Sequence, residues 1–240
     1  MMAAWKLAPA LAAGNTVVLK PSEITPLTTL KFAEVLKDIF PAGVVNIVFG
    51  TGGEVGAPLT SNPKVRMVSL TGSIPTGQKI VASGAESMKR THMELGGKAP
   101  VVVFDDANID DVVDGIRAFG FYNAGQDCTA ACRIYAQKGI YDELVAKLSD
   151  AVASIKIGTQ KEEGVEMGPL VSKAQQQKVA AMVDRAREQA HITIAAGGKI
   201  PDMPGFFYEP TLIVGAKQDD EIVQKEVFGP VVSVTLFETE

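Results

Sequence analysis

Val44-Val45-Asn46-Ile47-Val48-Phe49-Gly50-Thr51-Gly52-Gly53-Glu54-Val55-Gly56 decides the fold. A run of β-branched and apolar residues gives way directly to a glycine-rich turn. Strand, loop and helix in that order form the repeating unit of an α/β fold with a mostly parallel sheet. The unit recurs on both sides. Upstream, Val17-Val18-Leu19 reads as a buried strand. Thr25-Pro26 then starts a helix, with Thr25 as N-cap, Pro26 in the first turn and Phe32, Val35, Leu36 and Ile39 as the apolar face. Downstream, the strand Met67 to Leu70 ends in Thr71-Gly72-Ser73-Ile74-Pro75-Thr76-Gly77. Three such units fill residues 16–90.

A second block begins near Glu94. Val101 to Phe104 is a strand, and Ile109, Val112, Val113, Ile116 and Phe119 stripe a helix. Strand Ile134 to Gln137 precedes a helix over 140–155 with Leu144, Val145, Leu148 and Val152 inward. A loop over 158–171 leads to Ser172, which caps a helix running to about Ala190. Strands near 192–196, 207–214 and 230–237 complete the chain. The expected division is residues 1–93 and 94–240. The start enters helix-like sequence without a cap, and the end stops just after a strand. The chain therefore reads as an internal piece of a longer protein.

Composition narrows the function. The 240 residues carry a net charge of −5 and no run of basic residues, which disfavours nucleic-acid binding. Apolar stretches are interrupted well short of the roughly 20 residues that span a bilayer, and the mildly apolar N-terminus lacks the basic start of a signal peptide. Two cysteines and two histidines argue against a disulfide framework and a metal site, and fit a reducing cytoplasm.

Chemistry concentrates in Asn123-Ala124-Gly125-Gln126-Asp127-Cys128-Thr129-Ala130-Ala131-Cys132-Arg133. Cys128 lies among small residues, where backbone N–H groups can be approached. That suits a nucleophile whose oxyanion is received by amides; the other reading is a small residue in a tight turn. Cys132 reads as a packed small residue, the other reading being a regulatory partner for Cys128. Glu94, in Met93-Glu94-Leu95-Gly96-Gly97-Lys98, is the carboxylate available for base chemistry.

In the first block, glycines at strand ends leave N–H groups for a phosphate. Gly52 and Gly56 sit in the nearest approach to a dinucleotide fingerprint, although Val55 occupies the standard third-glycine position. Gly72 and Ser73 offer similar chemistry in a second loop. Lys20, Ser22 and Glu23, just past the first strand, suit ribose hydroxyls. An ordinary turn and a solvated loop are the competing readings.

Met93-Glu94-Leu95-Gly96-Gly97-Lys98, Gly125-Gln126-Asp127-Cys128 and Lys225-Glu226-Val227-Phe228-Gly229-Pro230, in that order, resemble the signature of NAD(P)-dependent aldehyde dehydrogenases. Trp5-Lys6-Leu7-Ala8-Pro9-Ala10-Leu11, Lys20-Pro21-Ser22-Glu23 and Thr71-Gly72-Ser73 fit the same family, so the resemblance covers the whole chain. Around Cys128 and Glu226 it is most similar to bacterial γ-aminobutyraldehyde dehydrogenases, relatives of betaine-aldehyde dehydrogenases. The resemblance implies part of a Rossmann-like dinucleotide-binding domain followed by part of an α/β catalytic domain. It implies Cys128 as nucleophile, its backbone N–H as half of the oxyanion hole, and Glu94 as base for the hydrolytic water. Lys20 and Glu23 would hold the adenine ribose, Gly72 and Ser73 would approach the pyrophosphate, and Glu226 would hold the nicotinamide ribose with Phe228 packing nearby. NAD is the expected cofactor, with NADP use open. Asp127 would attract a cationic aldehyde such as 4-aminobutanal; the competing reading is a surface or helix-capping carboxylate. No metal, nucleic acid or membrane is expected, and the full-length form is expected to be a homo-oligomer. The family's oxyanion asparagine belongs upstream of residue 1, so the piece alone is expected to have little activity.

Three rivals differ in class. A cysteine hydrolase needs an activating histidine, and only His92 and His191 are present; His92 would share a strand face with Glu94. A CoA-acylating dehydrogenase needs no water-activating carboxylate. A non-catalytic fragment that folds is the third.

Overall fold

Two short parallel sheets build the first part of the chain. The computed structural model describes residues 1–239, and contacts divide them into two compact units, Met1–Gly96 and the chain from Gly97 onward. In the first unit, α1 (Met2–Ala12) precedes β1 (Val17–Leu19). After α2 (Leu27–Leu36), β2 (Val45–Ile47) pairs with β1 in parallel, Val17 opposite Val45. A π-type turn over Gly52–Gly56 runs into α3 (Ala57–Ser61). Next, β3 (Met67–Thr71), α4 (Ile74–Gly84) and β4 (Arg90–Glu94) form a strand–helix–strand unit, with Ser69 opposite His92 and Thr71 opposite Glu94.

The structure corrects the sequence reading of this unit at several points. The strand Val17–Leu19 exists but is not buried, since Val18 is 43% exposed. Thr25 does not cap α2. The Ser22 hydroxyl accepts the Ile24 N–H at 3.3 Å and its carbonyl accepts the Thr25 N–H. Those bonds draw Thr25 into a preceding turn and leave Pro26, already at helical φ/ψ, in the cap position. The expected apolar face buries Leu36 alone, while Val35 and Ile39 are exposed. Finally, β4 is a strand that no apolar alternation marks, although the shared strand face expected of His92 and Glu94 lies within it.

The second unit contains the main core. β5 (Pro100–Val103), α5 (Ile109–Gly120), β6 (Arg133–Gln137) and α6 (Lys138–Ala153) come first. After α7 (Lys173–Arg187) come β7 (Thr193–Ala196), β8 (Thr211–Val214), α8 (Glu221–Gln224) and β9 (Val231–Phe237). The five strands lie in the order β5-β6-β9-β8-β7, parallel except for the β7–β8 pair. Helix starts follow local chemistry. Asn108 accepts the Asp110 N–H at the head of α5, whose first turn holds Asp110 and Asp111 and whose last turn holds Arg117, matching the helix dipole. Ser172 caps α7 through the Gln175 N–H. Leu144, Leu148 and Val152 of α6 are fully buried against the sheet, with Ile134, Val232 and Val234 in the same core. The last expected strand but one starts late, at Thr211, because Pro210 lacks an N–H for the ladder.

Candidate active site

The first unit gathers the proposed nucleotide-side residues around β1 and the glycine turns. Lys20 Nζ donates to the carbonyls of Pro21 (2.6 Å) and Gly50 (3.1 Å) and to the Glu23 carboxylate at 3.4 Å. A Cβ on Gly56 would sit 3.6 Å from Lys20 Cε, so lysine stem and turn lie against each other. Glu23 stays exposed. Its own backbone amide first, and Lys20 beside it, hold its carboxyl below the ordinary range despite some desolvation. Gly52 and Gly53 have open space where a Cβ would go, and Thr51 Oγ1 accepts the Glu54 N–H at 3.2 Å to close the turn.

At the end of β3, Ser73 caps α4 by accepting the Thr76 N–H at 3.4 Å, and its hydroxyl pairs with that of Thr76 at 2.9 Å. This leaves Gly72 at the positive end of a helix of 11 residues. The Gly72 N–H donates to the Glu94 carbonyl at 3.0 Å, so the β3–β4 register sets the second glycine loop beside Glu94. Lys6 Nζ donates to the Leu70 carbonyl at 3.2 Å. Burial lowers the Lys6 ammonium, and the charge of Glu94 partly offsets it.

The second unit joins the Cys128 loop to the loop carrying Glu226. Asn123, Ala124 and Gly125 are all left-handed, with φ of 51°, 55° and 68°. This sharp reversal follows α5 and ends in an exposed Cys128. Gly125 is required twice over: its φ is positive, and a Cβ would meet the Gly229 carbonyl at 2.0 Å. Gln126 bridges onward, accepting the Val171 N–H at 3.0 Å and donating to the Asn123 carbonyl at 3.0 Å. Asp127 Oδ1 accepts both the N–H and the hydroxyl of Thr129 at 3.1 Å, an Asx turn that spans the nucleophile candidate.

Glu226 Oε1 accepts the Gly97 N–H at 3.2 Å, and a Cβ on Gly97 would lie 3.5 Å from the Cys128 carbonyl. Gly97, Lys98, Asp127, Cys132, Glu226 and Phe228 line one small cleft. Phe228 itself is left-handed at φ 56°. Gln175, in the first turn of α7, donates to the carbonyls of Val227 (3.2 Å) and Phe228 (2.7 Å) and holds that strained loop in place.

Lys20, Glu23 and Gly56 thus come together, Gly72 and Ser73 lie beside Glu94, and Asp127, Glu226 and Phe228 share a cleft. Ser22 serves its own turn. Glu94 belongs to the first unit and Cys128 to the second. Sequence reading misses Lys98, whose ammonium is pulled below the ordinary lysine value by burial, against the opposing influence of Cys132 and Glu226. It also misses Gln175 and Ser69. The lysine follows Gly96-Gly97 in a motif already singled out, so its position is the one available signal. Gln175 looks like any helix-surface glutamine. Among the described residues no group of three or more His, Cys, Asp or Glu side chains could hold a metal ion, and no helix is long and apolar enough to cross a membrane.

These features define an α/β protein of mainly parallel strands whose loops carry an exposed thiol and a set of glycine turns. The sequence pattern of the aldehyde dehydrogenase family matches residues 1–240, and the chain belongs to that family. It is 44% identical, over 240 residues, to a betaine aldehyde dehydrogenase of Cereibacter sphaeroides, covering 100% of this chain and 49% of that protein. It is also 44% identical over 236 residues to the lactaldehyde dehydrogenase of Escherichia coli, covering 98% of this chain and 49% of the relative. Among solved structures, betaine aldehyde dehydrogenase from Staphylococcus aureus in complex with NAD+ superimposes with a TM-score of 0.96 at 43% identity, over 99% of this chain and 48% of that one. Lactaldehyde dehydrogenase from Escherichia coli gives a TM-score of 0.96 at 43% identity, over 99% of this chain and 50% of that one. The chain spans about half the length of these relatives.

Proposed function

We propose that the protein carrying this chain oxidises an ω-amino or betaine-type aldehyde, with 4-aminobutanal the favoured substrate, to the free carboxylic acid. The exposed Cys128 on a left-handed turn locked against Gly229 is the observation that carries the reading. Cys128 Sγ, as thiolate, adds to the aldehyde carbon and forms a C–S bond, while its backbone N–H donates to the oxygen that becomes negative. NAD, when bound, supplies the acceptor for the hydride lost from that carbon, which leaves a thioester on Cys128. Glu94 then takes a proton from water as the water oxygen bonds to the thioester carbon. The C–S bond breaks, the thiolate is restored and the acid leaves.

The donor set suits a dinucleotide. Glu23 at the end of β1, held beside Lys20, offers an acceptor for ribose hydroxyls, and Ser73 at the head of α4 offers its N–H for phosphate, the Gly72 N–H being engaged by the Glu94 carbonyl. Glu226, oriented by the Gly97 N–H, offers an acceptor at the nicotinamide end. Glu23 would repel a 2′-phosphate, which favours NAD over NADP. Asp127 supplies the negative charge that a cationic aldehyde would meet. A cytoplasmic location accords with the low cysteine content, and a homo-oligomeric full-length form accords with exposed apolar side chains such as Leu27, Val35 and Ile39 in and just after α2.

Initial-rate measurement of NADH formation by the full-length protein tests the reading. Aminoaldehydes should exceed alkyl aldehydes of equal length in kcat/KM, and Cys128→Ser should remove turnover. Equal rates for both aldehyde classes would overturn the substrate assignment. Activity retained in Cys128→Ser would overturn the nucleophile.

A further inference from the structure

Glu94 is not held by the backbone alone. Residues two apart on a strand face the same way, so His92 and Glu94 project from one side of β4, and Ser69, opposite His92 in the register, projects from the same side of β3. His92 Nε2 lies 3.0 Å from Glu94 Oε1, and His92 Nδ1 lies 3.0 Å from Ser69 Oγ. The proton positions follow from chemistry. A carboxylate only accepts, so His92 Nε2 carries the hydrogen. In the neutral ring with that hydrogen, Nδ1 is an acceptor and takes the Ser69 hydroxyl hydrogen. In that form the chain Ser69 to His92 to Glu94 runs in one donor direction, and the two partners together select one ring tautomer.

We propose that His92 is a positioning residue for Glu94, with Ser69 fixing the His92 tautomer. The proposal rests on the reading of Glu94 as the base that activates the hydrolytic water. The hydrogen bond engages Oε1 and fixes the plane of the carboxylate, so that Oε2 is presented to water in one orientation. The His92 and Glu94 side chains are 53% and 50% exposed. At that exposure an ion-pair contact adds little to stability, so orientation is the role left for it. Removing the imidazole therefore tests positioning without endangering the fold.

Rapid mixing of the full-length enzyme with NAD and aldehyde separates hydride transfer, read as an NADH burst, from hydrolysis, read as the steady rate after it. His92→Leu should leave the burst rate and the melting temperature at wild-type values and lower the post-burst rate by roughly ten- to a hundredfold, the upper end being what a misplacement of about 1 Å can cost. His92→Gln keeps an N–H near the Nε2 position and should recover most of that loss. Ser69→Ala should fall between wild type and His92→Leu. Glu94→Gln is the control and should stop after the burst. A wild-type post-burst rate in His92→Leu, with Glu94→Gln arrested, overturns the positioning role alone. An undiminished Glu94→Gln overturns the base assignment, and the positioning role falls with it.

Discussion

Gly125 is the residue on which the geometry around Cys128 turns. Its φ of +68° and the 2.0 Å approach of a notional Cβ to the Gly229 carbonyl leave no room for a side chain. Gly125→Ala should cost at least about 1–2 kcal/mol from the left-handed conformation alone, with the overlap adding more. A thermal melt checks this, and each kcal/mol should lower Tm by roughly 2–4 °C in a chain of this size. A Tm unchanged in Gly125→Ala would mean that the two loops are not locked together. Lys98 yields a prediction in pH. Burial lowers its ammonium pKa below the ordinary 10.5 in the folded state, so the unfolded chain holds this proton more tightly. Below the lowered folded value both states are charged and the full penalty applies. Above it the folded state is neutral while the unfolded state is still protonated, so stability rises with pH until the ordinary lysine range is passed. Denaturant melts of wild type minus Lys98→Met should show that rise on the alkaline side. A flat difference curve would mean that Lys98 is not desolvated in the folded chain.

Helix α7 links core to site at the level of elements. Its cap, Ser172, satisfies the Gln175 N–H at 3.2 Å, and the Gln175 side chain then holds the carbonyls of Val227 and Phe228. Ser172→Ala should cost about 1 kcal/mol. Gln175→Leu should cost about 1–3 kcal/mol, because it strands two carbonyls of a partly buried loop; urea melts of the two variants give the comparison, and a larger loss in Ser172→Ala would reverse this ranking. Elements with a strong period or a clear cap are legible in the residues themselves: α5, α6, the Ser172 cap and the strands of the second unit follow directly from Ile/Leu/Val spacing and cap chemistry. β4 is not, because Arg-Thr-His-Met-Glu has no apolar alternation; its strand conformation comes from pairing with β3. The Thr25 cap does not form because Ser22 organises the local hydrogen bonds first. In the candidate site, Cys128, Glu94 and the glycine turns stand out as local motifs. The contacts around them do not, since Gln175 meets Phe228 across 53 residues and Gly97 meets Glu226 across 129. Sequence spacing carries no information about such pairs until the sheet order is known.

Stability across the molecule is uneven, and the distribution of buried apolar side chains says where. Every member of the main core cluster lies in the second unit. In the first unit the buried large apolar residues among those described are Leu7, Leu36 and Val68. β9 lies between β6 and β8, so both of its edges are hydrogen-bonded, and Val231 to Thr235 are buried throughout. β1 and β2 share a ladder of three residue pairs with Val18 open to solvent. Local opening that exposes little apolar surface costs little free energy, whereas opening β9 requires breaking two ladders and the core. Hydrogen exchange followed by mass spectrometry on the 240-residue chain should therefore show the slowest amides in 231–236 and in β6. Peptides covering 17–19 and 45–47 should exchange orders of magnitude faster, consistent with an opening free energy several kcal/mol smaller, at about 1.4 kcal/mol per tenfold in rate. Equal protection in the two regions would mean that the first unit opens only with the second, in one cooperative transition. Slower exchange in β1 and β2 than in β9 would contradict the assignment of the core itself.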